Sequence, residues 1–150
     1  MKSWLRIERI YGKDGEHETP YLTRIVIGRL RFHKFHRGDA DPDMHDHPWS
    51  FWTFPLTSYV EQTPMGFFAV KRFQWHFRPA TYAHRVLGPV SEVIANSWPW
   101  PTKVLRPPLE QKPIYTIVWM GEKERDWGFF VRKDECLTWV PWREYVFGSR

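Results

Sequence analysis

Thirteen prolines and nine glycines cut this chain into segments too short for long helices. The intervening runs are rich in Val, Ile, Phe, Tyr and Trp. Proline removes a backbone donor and breaks a helix interior, whereas β-branched and aromatic side chains pack well on a pleated surface. With 10 Trp, 11 Phe and an aromatic fraction of 18%, the expectation is an all-β fold. The 150 residues suit one domain, 1–150, because a chain of this size buries roughly 70% of its unfolded surface.

The single cysteine, Cys136, has no partner for an internal disulfide, and the first residues hold no apolar run of signal-peptide length. A cytoplasmic location is expected. No segment approaches the ~20 apolar residues that cross a bilayer, so no membrane partner is expected. The net charge of +5 would attract anions. Its cations are dispersed, however, with Arg29, Arg31, Lys34 and Arg37 in one loose cluster and Lys71, Arg72, Arg78, Arg85 and Arg106 among aromatics. Basic residues interleaved with aromatics can bind single-stranded nucleic acid, but a solvated basic surface explains them more simply.

Trp4 to Tyr11 reads as a first strand ended by Gly12-Lys13-Asp14-Gly15. Tyr21 to His36 reads as one long strand or two in line, with Gly28 marking a bulge. Trp49 to Glu61 and Phe67 to Phe77 read as further strands, followed by Thr81 to Leu87. Residues 88–113 hold six prolines with Trp98 and Trp100 and read as an irregular excursion. Ile114 to Met120 is a strongly β-forming run, for which Trp127 to Arg132 looks like a hairpin partner. Leu137 to Phe147, with Pro141 as a possible first helical residue, reads as a short helix or final strand. About eight strands are expected.

The chemistry concentrates between Gly38 and Glu61. Side chains alternate along a strand, so His45 and His47 share a face and can reach one ion. Asp43 shares their parity and is a candidate acidic ligand or supporting partner. Asp39, Asp41 and Asp43 lack the downstream glycine and glutamate of a calcium loop, which argues against calcium. The i, i+3 spacing of His33 and His36 puts them on opposite faces. Thr53, Thr57, Tyr59 and Glu61 have the parity of the histidines, while Trp52, Phe54, Leu56 and Val60 have the other. Glu61 lies 14 residues beyond His47, some 45 Å along a straight strand, and is not expected as a ligand.

An H-x-H pair, then P-x-x-x-x-H ending at His84, in a β-rich chain resembles the cupin superfamily of small jelly rolls. Its motifs G-x5-H-x-H-x3,4-E-x6-G and G-x5-P-x-G-x2-H-x3-N fall on His45, His47, Pro79 and His84. The glutamate position falls on Phe51 or Trp52, Gly38 is one residue out of register, Thr81 replaces a glycine and Gly88 the asparagine. The resemblance implies a double-stranded β-helix barrel with a metal held by His45, His47 and His84, and a homodimer. It includes dioxygenases with a three-histidine iron centre. Fe(II) or Zn(II) is the expected ion, with Mn(II) or Ni(II) as alternatives.

Three neutral imidazoles leave the charge of a divalent ion uncompensated, so such a site favours an anionic small-molecule ligand. Tyr82 shares the parity of His84 and is the candidate catalytic residue, as a hydrogen-bond donor to substrate; Arg85 faces away. The readings are therefore a metalloenzyme, such as an oxygenase acting on a small anionic compound, or a non-catalytic barrel that stacks a sugar or other small ligand on Trp49, Trp52 or Trp75, or a structural protein that oligomerises. The segments Arg125-Asp126-Trp127-Gly128-Phe129 and Trp139-Val140-Pro141-Trp142 have the look of a subfamily signature without attached chemistry.

Overall fold

The computed structural model describes residues 4–14, 17–89 and 112–148. Most of the expected excursion at 88–113 therefore lies outside the described residues. Gly88 and Pro89, at its start, close a strand.

The chain opens with β1 (Leu5–Asp14), β2 (His17–Ile27) and β3 (Leu30–Phe35). Gly28 is not a bulge in a continuous strand. It is the first residue of a two-residue turn, with φ +58°, and β2 folds back antiparallel on β3 with Ile27 opposite Leu30. Glycine reaches this region without steric cost, as primed hairpin turns require.

Next come β4 (Met44–His45), β5 (Phe51–Pro55), β6 (Tyr59–Thr63), β7 (Gly66–Val70), β8 (His76–Arg78) and β9 (Arg85–Pro89). The described chain ends with β10 (Ile114–Met120), β11 (Gly128–Lys133), β12 (Cys136–Pro141) and α1 (Trp142–Phe147). Two expected strands are each divided. Trp49–Glu61 splits at Pro55 into β5 and β6, and Phe67–Phe77 splits into β7 and β8, with the halves in different sheets. The tail is both strand and helix.

Antiparallel pairing gives a six-stranded sheet in the order β1-β2-β3-β10-β5-β8 and two three-stranded sheets, β12-β11-β4 and β7-β6-β9. The expected β10–β11 hairpin does not form, because β11 pairs with β12 and β4 instead. The all-β, jelly-roll-like expectation holds.

Side chains from all three sheets line a shared cavity of about 700 Å³. Its apolar support comes from two clusters. Tyr59, Val70, Val86 and Ile114 pack with Phe35, and Phe51, Val118 and Met120 pack with Trp49.

Alternation on β5 sorts its residues in an unusual direction. Thr53 is buried and faces the cavity, whereas Trp52 on the other face is 45% exposed. Trp52 stands beside Phe77 with ring centroids 5.1 Å apart and opposite Trp119 in the register. The outer face of the large sheet is thus strongly aromatic. No helix among the described residues is long and apolar enough to cross a membrane.

Candidate metal centre

Backbone pairing brings the three histidines together. His45 N–H donates to His84 O at 2.9 Å and His84 N–H returns a bond to His45 O at 3.0 Å. Residues paired this way in an antiparallel ladder point to the same face. Two residues on, His47 N–H donates to Ala80 O at 3.0 Å, so its side chain joins them.

The ligand nitrogens of His45, His47 and His84 all lie within 4.8 Å of one another. His47 Nε2 and His84 Nε2 are 2.9 Å apart. With metal–nitrogen bonds of about 2.1 Å, two imidazoles on one ion hold their nitrogens about 3.0–3.4 Å apart, octahedral to tetrahedral, so the spacing is close to that of a shared ion.

A metal needs neutral imidazoles, and the environment keeps those of His45 and His47 neutral. Burial, reinforced by His84, lowers the His45 pKa to about 4 against nearby carboxylates. Burial and then His84 and His45 push His47 well below its usual value. His47 is also wedged against Phe51, 4.8 Å between centroids. Phe51 occupies the place where the cupin pattern carries a glutamate, and Trp52, the other candidate, points outward.

The carboxylate missing from that position arrives by another route. Glu61 is fully buried, and its Oε1 accepts from His84 Nδ1 at 3.0 Å and from the Tyr59 hydroxyl at 3.2 Å. Its Oε2 accepts from the Arg78 guanidinium at 3.1 Å and the Tyr82 hydroxyl at 2.9 Å. Burial raises the carboxyl pKa, but the hydrogen bond and electrostatic pull of His84, with the Arg78 charge and the Tyr82 hydroxyl, outweigh it and hold it at about 2.

A proton on His84 Nδ1, shared with this carboxylate, leaves Nε2 free for an ion, the arrangement of a carboxylate–histidine–metal triad. Glu61 is not one of the three clustered side chains. What sequence reasoning missed is its support of one. The chain reverses at residues 56–58, which cancels the 14-residue separation, and odd parity had already placed Glu61 with the histidines.

Tyr82, expected to donate to substrate, donates to Glu61 instead, and its ring lies edge-on to His84 at 5.4 Å. Asp43 is drawn away from the histidines as well: with Asp41 it accepts from the Tyr145 hydroxyl on α1. That bond fastens the acidic loop to the C-terminal helix, while Tyr145 stacks on Phe129 at 4.0 Å.

Asp46, between the two histidines, points the opposite way and is buried. Its carboxylate accepts from Gly128 N–H at 2.8 Å, from Trp139 Nε1 at 3.1 Å and from Arg125. The signature residues of both C-terminal segments therefore converge on one carboxylate that anchors the H-x-H strand. Gly128 has no room for a side chain, since a Cβ there would stand 2.1 Å from Val140 O. Trp127 completes the link, with its ring 6.3 Å from that of His45.

The three tryptophans considered for ligand stacking are divided: Trp49 lines the cavity, while Trp52 and Trp75 lie exposed against Phe77 and Phe54. They do not form one platform. His33 and His36 separate as expected. His36 bonds Thr23 at 2.9 Å and His33 lines the cavity.

No protein-family profile and no curated protein matches the sequence. Among solved structures, the chain is similar to a cupin domain from Bordetella pertussis Tohama I. The match has 14% identity and a TM-score of 0.38, and it covers 77% of this chain and 94% of that one. What the site can do follows from its own geometry. Three imidazoles, one backed by a buried carboxylate, could hold a divalent ion, and all three line the apolar-walled cavity.

Proposed function

We propose that this protein binds one divalent metal ion through His45, His47 and His84 and uses it to hold a small anionic organic compound in the cavity. The observation that carries this reading is the convergence of three imidazoles, His84 buried and His45 and His47 half-buried, with Glu61 bonded to His84 Nδ1. Among the described residues no carboxylate joins the three histidines, so two positive charges call for an anion from outside the chain. Cavity walls of Phe35, Phe51, Val118 and Met120 suit an apolar body on that anion.

The metal would supply Lewis acidity or, as Fe(II), access to O₂ chemistry. The chain's part is to keep the imidazoles neutral, restrict water and orient the compound. Within this reading, an oxygenase is the finer assignment, with Tyr82 acting through Glu61 and His84 as a positioning residue and not as a donor to substrate.

Cobalt-loaded protein titrated with benzoate tests the reading. A change in the visible Co(II) spectrum that saturates with benzoate and disappears in His47→Ala supports it. An unchanged spectrum contradicts an anion at the open positions.

The aromatic outer face formed by Trp52, Phe77 and Trp119, each about half exposed, favours a homodimer as a second, compatible property, since contiguous exposed apolar surface marks an interaction site.

A further inference from the structure

On the cavity wall formed by the six-stranded sheet, His33 on β3 stands directly opposite Thr116 on β10. Both line the cavity. Among the described residues four buried side-chain polar atoms lack a hydrogen-bond partner, and His33 Nε2 and Thr116 Oγ1 are two of them. The other two are the Nε atoms of Arg78 and Arg85, whose guanidinium groups bond through their remaining nitrogens to Glu61 and to Asp39 O.

Buried polar groups in folded proteins are nearly always satisfied, and exceptions point to a missing water, ion or ligand. The two residues that carry these atoms sit on neighbouring strands, directly opposite in the register, and both line one cavity. Opposite residues of an antiparallel pair have Cβ atoms about 5 Å apart, close enough to share one guest group.

The chemistry of the pair narrows the guest. Burial, followed by the charges of Arg24 and Arg31, lowers the His33 pKa to about 3, so its imidazole is neutral at physiological pH. Arg24, across the register from His33, is already paired with Glu8. A neutral imidazole and a threonine hydroxyl can each donate or accept. The group that complements both at once is a hydroxyl, which also does both. The same cavity is also walled by Phe35, Val118 and Met120, which favours apolar atoms in the body of the guest.

We infer that His33 and Thr116 form a second polar subsite, which receives the hydroxyl of a hydroxylated carboxylic acid whose carboxylate lies at the three histidines. The carboxylate end rests on the proposed metal reading; the hydroxyl end stands on the unpartnered pair.

The test compares ω-hydroxyalkanoates of graded chain length with the matching plain alkanoates by calorimetric titration, on both Zn(II)-loaded and metal-free protein. At the best-fitting length the hydroxylated acid should bind about tenfold tighter than its counterpart, the worth of one well-made neutral hydrogen bond. That preference should fall to parity in Thr116→Val and in His33→Phe, with Zn(II) uptake unchanged in both. Thr116→Val, which keeps the side chain's shape, should also raise the melting temperature of the ligand-free protein, because it removes a buried unsatisfied hydroxyl. Persistence of the hydroxyl preference in protein that takes up no metal would preserve the subsite while removing the metal reading. The inference is overturned by equal binding of hydroxylated and plain acids at every length, by a preference that survives Thr116→Val, or by failure of the whole series to bind either form. Equal binding is the result if an ordered water alone satisfies the pair.

Discussion

Replacing Glu61 by glutamine changes one oxygen to an amide and removes one charge, and the structure sets the size of the effect. The carboxylate accepts four hydrogen bonds, from His84, Tyr59, Arg78 and Tyr82, and a glutamine has only one acceptor oxygen to offer. At least the donors on one side meet an N–H₂ group.

The Arg78 side chain is 13% exposed and that of Glu61 1%, so the ion pair is almost fully desolvated. Breaking such a pair by removing one partner costs about 3–5 kcal/mol. Partial access of water to Arg78 places the expected loss near the lower end, about 3 kcal/mol in urea unfolding of metal-free protein.

The metal should register the change separately. Loss of the carboxylate that orients a ligating imidazole weakens metal affinity about 10–100-fold, equivalent to about 1.4–2.8 kcal/mol. The stabilisation that a fixed excess of Zn(II) confers should shrink by the same amount. Competition titration against a coloured chelator gives the affinity, and denaturation with and without Zn(II) gives the linkage. Glu61→Gln protein with wild-type Zn(II) affinity would refute the claim that Glu61 sets the His84 tautomer, even if the fold is weakened.

Asp46→Asn leaves Arg125 without its buried carboxylate and presents an amide to donors on β11 and β12; it should cost about 3 kcal/mol by chemical denaturation. Its effect on metal affinity should follow from loosening of the H-x-H strand. The folded-state pKa of His33 lies near 3, below its unfolded value of 6.5, so the unfolded chain takes up this proton first as pH falls. The stability this group contributes is therefore complete above pH 6.5 and is lost progressively down to about 3. His33→Phe should flatten the stability–pH slope of metal-free protein by up to about 1.4 kcal/mol per pH unit in that window, and an unchanged slope would show that His33 is not buried neutral. If the aromatic outer face mediates dimerisation, the wild type should sediment as a dimer and Trp119→Arg as a monomer; a monomeric wild type removes the proposal.

The sequence carried the strands where β-forming runs were strong, as in Ile114–Met120, and the histidine triad through parity and the P-x-x-x-x-H segment. It did not carry sheet membership. Alternation along Trp49–Glu61 stays in phase across Pro55; the proline marks a bend or an edge, but not that β6 leaves the large sheet and turns Glu61 back behind His84. Gly28 was legible as a special backbone position, but bulge and hairpin turn both use glycine, and pairing partners decide between them. Trp127–Arg132 had the composition of a hairpin strand and found a different partner, because Asp46 and Gly128 lock β11 beside β4. Asp46 left a faint trace: an acid between two histidines, opposite to them in parity, with Arg125 and Trp139 far downstream as partners.

Elemental analysis of purified protein after Zn(II) or Fe(II) loading and exhaustive buffer exchange is the most direct test of a three-histidine metal centre. One ion per chain in the wild type, lost in His45→Ala, His47→Ala and His84→Ala while the circular dichroism of each variant stays wild-type, is the predicted result. A folded wild type that retains no ion, or variants that retain it in full, would contradict the account.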